Sequence, residues 1–316
     1  MAVDFDKCVG LAIMRLRAHQ SERPDAELYL MVDPTLGDPF ADEPTMASLR
    51  RYVLPINHPD IELGKKPYLC PIQDPIRQER AINRSVELAV EEMQKTTAPF
   101  RRSICAWLLA DTRSPAELAQ CLARGSVKTD RHRQRHILRF WDPRVLPLLA
   151  GHERGHRLVP PVTAVDWLAL DSKGELQSVP YPDDVAAVPV IHLTSSDEAL
   201  LQDISLENAA ACAVVERDQP WPGRGELASH IIRARELSLI DQADIAAFVA
   251  DRKSQGVPIE LADRIAAVLA AVRDDGASYQ KLVAAWDEDD WTAIAAEALQ
   301  RTQQHHTSKR LEGTQP

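Results

Sequence analysis

Apolar residues recur first in short mixed patterns and then, past about residue 195, almost entirely at helical spacing. Phe5, Val9, Ala12, Ile13 and Leu16 predict an amphipathic helix over 5–19. After Pro24, the run from Glu27 to Asp33, apolar from Leu28 to Val32, is ended by Pro34, the pattern of a buried strand. Pro, Gly and Asp dominate from Pro34 to Pro75. The short apolar pieces Arg51–Pro55 and Tyr68–Ile72 predict edge or short strands, because Pro55 and Pro71 interrupt them. Ile82, Val86, Ala89, Val90 and Met93 form one stripe of a helix over about 74–95. Ser103 to Asp111 is an apolar run of strand length. Ser114-Pro115-Ala-Glu117 then opens a helix to about Arg124, with Ser114 as N-cap and Pro115 at N1.

These elements lead into Arg135–Leu149. Ile137–Trp141 predicts a short buried strand, and Asp142-Pro143 breaks it and opens a helix with Asp142 as N-cap. Val162–Val179 reads as a β-hairpin around a Gly-containing turn, and the Pro- and Asp-rich stretch 180–189 as a linker. Beyond it, Ser195-x-x-Glu198 reads as a capping box for a helix to about Arg217. Further helices are predicted at about 226–236, 241–254, 259–274, 279–286 and 289–303, with a frayed tail. The fold class follows: an α/β domain over 1–180, a mixed sheet with helices, then an all-α domain over 181–316.

Composition narrows the function classes. Hydrophobics at 45% and charges at 27% describe a globular chain, and a net charge of −10 argues against a general nucleic-acid binder. The acidity is uneven. Between Arg124 and Arg157 stand nine Lys/Arg against Asp130, Asp142 and Glu153, with four histidines besides. Such a basic stretch suits an acidic protein partner. Five scattered cysteines without C-x-x-C suggest neither a disulfide framework nor a zinc site, and Cys105 reads as a packed core residue. An acidic N-terminus without an apolar core, and no long apolar window, lead to the expectation of a cytoplasmic protein with no membrane span.

Arg139-Phe140-Trp141-Asp142-Pro143-Arg144-Val145-Leu146 resembles the signature of a bacterial family of type VI secretion adaptors, or effector chaperones, encoded beside the VgrG spike protein and a toxic effector. The resemblance spans about 28–150 and is most specific at Trp107–Asp111 and at 139–146. It includes the apolar strand that runs into Asp33. Trp141 stands where the family often has Tyr, and the segment after Asp33 matches poorly. The resemblance implies a cytosolic adaptor that binds its effector and couples it to VgrG, by recognition rather than catalysis and without a cofactor.

Candidate partner-binding residues are Arg131, Arg133, Arg135 and Arg144, whose guanidinium groups suit carboxylates, and Trp221 on the Pro-stiffened loop Asp218–Gly225. An architectural reading stands beside the first: Asp142 caps a helix and Arg139 or Arg144 pairs with a nearby carboxylate. Two rival functions remain. His152-Glu153-Arg154-Gly155-His156 satisfies H-E-x-x-H, which on a helix would aim two histidines at one zinc, with Glu153 as base and Glu175 as a third ligand. Gly151, Gly155 and Pro160-Pro161 favour a surface loop instead. The other rival is a scaffold that holds a single partner.

Overall fold

The computed structural model describes residues 4–73, 75–95, 102–111, 114–160, 165–171, 174–179 and 191–312. The first unit opens with α1 (Phe5–Glu22), whose N-cap Asp4 accepts the N–H of Lys7, and β1 (Ala26–Val32). There follow α2 (Pro44–Ala47), β2 (Tyr52–Val53), β3 (Tyr68–Pro71), α3 (Pro75–Gln94), β4 (Ile104–Asp111) and α4 (Pro115–Ser126). The chain continues through β5 (Val127–Thr129), β6 (Arg135–Ile137), α5 (Leu146–Ala150), β7 (Val165–Leu170) and β8 (Leu176–Val179).

Six strands form one sheet in the order β2-β3-β1-β4-β7-β8, and every pairing is antiparallel. Leu28–Val32 of β1 and Ile104–Ala110 of β4 are continuously apolar because both faces of the sheet are covered. Leu28, Leu30 and Val32 of β1 join a core built with Leu16, Ile82, Val86 and Val90 of α1 and α3. Tyr29 and Met31 face the opposite core, with Leu118 and Leu122 of α4 and with Phe140, Trp141 and Leu149. The expected hairpin is present as β7 and β8, with Gly174 at φ 77° where the chain reverses; residues 161–164 and 172–173 of it lie outside the described residues. The expected linker at 180–189 also lies outside them.

The rest of the described chain is all helical: α6 (Ser195–Val215), α7 (Arg224–Glu236), α8 (Gln242–Gln255), α9 (Asp263–Asp275), α10 (Tyr279–Val283) and α11 (Glu288–Glu312), the second unit taking α6 from Ser205 on. Asp241 caps α8 by accepting the N–H groups of Ala243 and Asp244, and Gly256 and Gly276, both at φ 66°, end α8 and α9. The core of the second unit gathers Val214, Leu227, Ile231, Phe248, Ile265, Tyr279 and Ile294. The α/β first half and the helical second half are thus both formed.

The division between the compact units falls at Ile204/Ser205, inside α6, and not at 180/181. Leu193, Leu200, Leu201 and Ile204 pack into the core on the α4 face of the sheet, so the first unit keeps the start of that helix. The capping box also sits one residue earlier than expected. Thr194 accepts the N–H of Asp197 at 3.3 Å through its hydroxyl, while the Asp197 carboxylate accepts the N–H of Thr194 at 2.8 Å. No helix among the described residues is long and apolar enough to cross a membrane.

Candidate functional site

The stretch expected to be a buried strand running into a capped helix is shaped otherwise. β6 ends at Ile137 and belongs to a separate two-stranded hairpin with β5, not to the large sheet. Leu138, Phe140 and Trp141 are all buried, but the ladder stops at Ile137 and residues 138–141 are in no strand. Residues 140–145 form turns, and α5 starts only at Leu146 with Val145 as N-cap. Asp142 contributes its main-chain carbonyl to that start, accepting the N–H of Val145 (2.8 Å) and Leu146 (2.9 Å). Its carboxylate is used elsewhere.

That carboxylate, buried at 4% exposure, accepts the Arg144 N–H and Nε, both at 2.9 Å, and Nη2 at 2.7 Å. Burial would raise the Asp142 pKa, but the Arg144 hydrogen bonds and charge, with Arg139 nearby, hold it below the ordinary carboxylate range. Next to it, Asp33 at the end of β1 is buried too. Asp33 Oδ1 accepts the N–H (3.0 Å) and hydroxyl (2.5 Å) of Thr35, and Oδ2 accepts Trp141 Nε1 (2.7 Å) and Arg139 Nη2 (2.9 Å). Phe140 lies edge-on to Trp141 and Trp167, with ring centroids 5.1 and 5.9 Å away. Cys105 is wholly buried, and its thiol is pushed well up by burial and by the charges of Asp33 and Asp142. The motif is therefore a largely buried polar knot: Trp141, Asp142, Arg144 and Nη2 of Arg139 are spent on the fold, while Arg139 Nε is buried without a partner among the described residues. Arg144, a candidate for a partner's carboxylates, is turned into Asp142, which agrees with the architectural reading of that residue.

The basic stretch sorts itself by burial. Lys128 on β5 is fully buried and its ammonium is lowered to about 8 by burial, against the opposing pull of Asp197. Arg157 pairs with Asp197 at 2.5 Å. Arg131, Arg133 and Arg135 are exposed at the β5–β6 turn, where Arg131 lies 3.5 Å from Glu198 and Arg135 donates to the Asn57 carbonyl at 2.7 Å. Lys128 and Asp197 were not singled out by sequence. Their signal is only that a lysine sits in a strand of a hairpin whose partner strand is short.

His152-Glu153-Arg154-Gly155-His156 forms a turn leading into a 3₁₀ segment at His156–Leu158, so the helical face that would bring both histidines to one ion is not formed. A Cβ on Gly155 would lie 2.2 Å from the Leu149 carbonyl oxygen, and that close approach is what the glycine supplies. Glu175, the suggested third ligand, lies 3.4 Å from Arg15. Among the described residues no group of three His, Cys, Asp or Glu side chains could hold a metal ion.

Trp221 is half-buried and packs on the core of the helical unit. In that unit a cleft of about 360 Å³ is lined by Glu226, His230, Arg252, Lys253, Gly256, Val257 and Pro258. Its cations are matched within the unit, Lys253 to Glu226 and Arg252 to Glu260, and Arg252 also hydrogen-bonds His230 Nδ1. Compared with protein-family models, curated proteins and solved structures, the chain matches none.

Proposed function

We propose that the protein is a cytoplasmic adaptor that holds a type VI secretion effector and presents it to the VgrG spike, working by recognition and not by catalysis. One observation carries the reading. The three segments that resemble the adaptor family form a single piece of structure: β1 pairs with β4 from Ala26↔Asp111 to Val32↔Ile104, and the Asp33 that ends β1 receives Trp141 and Arg139 of the corner motif. A chance match of one short string would have no reason to lie with the other two, one paired with β1 along its length and one hydrogen-bonded to the carboxylate that follows it.

In this reading the knot is the frame, and the outward-facing surfaces beside it do the binding. The frame suits that work because two buried carboxylates, each met by a guanidinium group, leave few alternative arrangements open. The test is co-expression of the full chain with the spike and the effector encoded beside it, followed by size-exclusion chromatography. A single complex containing both partners is expected. Retention of only one would make the protein a single-partner scaffold. Stoichiometric zinc that is lost on His152→Ala would move it to the hydrolases.

A further inference from the structure

The turn between β5 and β6 is exposed but tightly determined. Asp130 donates its N–H to the Gln134 carbonyl at 2.9 Å, and its own carbonyl accepts the Arg133 N–H at 3.0 Å. The Asp130 carboxylate accepts the N–H groups of His132 (2.9 Å) and Gln134 (2.7 Å), and its second oxygen lies 3.0 Å from His136 Nε2. Hydrogen bonding to His136 comes first among the causes that hold this carboxylate below its usual range. The Arg131 N–H donates to Glu198 at 3.1 Å. On the far side of β5, the Thr129 N–H donates to the Ile191 carbonyl (2.7 Å) and its carbonyl accepts the Leu193 N–H (2.8 Å). The backbone of the turn is thus set by main-chain groups and two carboxylates, none of which requires the side chain of Arg133.

What the turn shows to solvent is chiefly guanidinium. Arg131 is 65% exposed and Arg133 and Arg135 are exposed with it, beside His132 and His136, while the Asp130 side chain keeps only 13% and Glu198, which lies 3.5 Å from Arg131, 18%. Arg133 stands at φ 63°, in the left-handed region where glycine is at ease and a long side chain is not. An arginine held in that conformation costs the fold something, and among the described residues its side chain makes no hydrogen bond or ion pair.

We propose that this turn is a docking site for a short carboxylate-rich segment of a partner protein, with Arg133 at its centre. The proposal deepens the adaptor reading, on which it rests for the claim that the partner is a protein. Guanidinium groups grip carboxylates bidentately, and a turn ordered before binding loses little freedom on capture. The occupant is a peptide rather than a nucleic acid because the arginines of the turn are few and stand on a chain of net charge −10. A polyanionic duplex or long strand needs a basic track that follows its phosphates and would be repelled beyond the tip.

The experiment uses the full chain and a fluorescein-labelled peptide of glutamates spaced by glycine and serine, read by anisotropy at low and physiological salt. Wild type is expected to bind, more weakly as salt rises. Arg133→Glu should lose about tenfold in affinity and flatten the salt dependence. Arg133→Gly should lose affinity while its melting temperature is unchanged or raised, separating recognition from folding. Arg154→Glu reverses another exposed charge of the same stretch and should bind as wild type. The proposal is overturned if the peptide fails to bind, if Arg133→Glu or Arg133→Gly binds as wild type, if Arg154→Glu loses as much, or if a single-stranded DNA of equal charge binds more tightly. Neither spike nor effector enters the assay, so its failure leaves the co-expression result standing, and the reverse holds too.

Discussion

Asp142 and Asp33 illustrate what a buried carboxylate demands of its neighbours. Each is nearly removed from water and each is met by charge-assisted donors, Arg144 for one and Arg139 with Trp141 for the other. Removing one member strands the other charge inside. Asp142→Ala is therefore expected to cost about 3–5 kcal/mol, read as a lower urea midpoint at unchanged m-value. Lys128 is the opposite case, a cation whose burial outweighs the pull of Asp197. Its folded pKa of about 8 lies below the unfolded value, so between the two the unfolded chain binds more protons and stability rises with pH. Lys128→Met should stabilise the protein at pH 7 by on the order of 2–3 kcal/mol. The gain should shrink as pH climbs from about 8 towards 10. Melting curves across that range check the sign; a gain that grows with pH would contradict it.

At the level of elements, the turn at His152–Gly155 depends on a backbone contact that leaves no room for a side chain. Gly155→Ala is expected to cost about 1–3 kcal/mol by forcing Leu149 aside, measured by chemical denaturation. Zinc or a chelator should leave the melting temperature of the unmutated protein where it was. The start of α8 rests on an ordinary cap, and Asp241→Ala should cost about 1 kcal/mol, seen as faster amide exchange at Ala243 and Asp244. The helices of the second unit were legible because their starts and stops are chemical signals within a few residues: Asp241 before α8, Gly256 and Gly276 behind α8 and α9. The corner was less legible. Asp142-Pro143 carries the local signature of a helix start, yet Arg144, two residues on, competes for the same carboxylate and wins.

For the whole molecule, the six-stranded sheet keeps two cores apart, one under α1 and α3 and one under α4 and the corner. Truncations in the two cores should then act independently. Ile82→Val and Ile56→Val are each expected to cost about 0.5–1.5 kcal/mol, and the double variant their sum to within about 0.5 kcal/mol, by urea titration. The amino-acid order alone determined where apolar runs and helical stripes lie, hence an α/β half followed by a helical half, and it marked the corner motif. Those features are read within a window of a few residues, which is the range of propensity, capping and periodicity. Only the tertiary structure decided that Asp33 and Trp141, 108 positions apart, share a hydrogen bond, that Lys128 is inside, and that Arg133 is outside. Burial and charge pairing are set by segments that the chain brings together from far along its length, and no local pattern records which of several arginines will find a carboxylate.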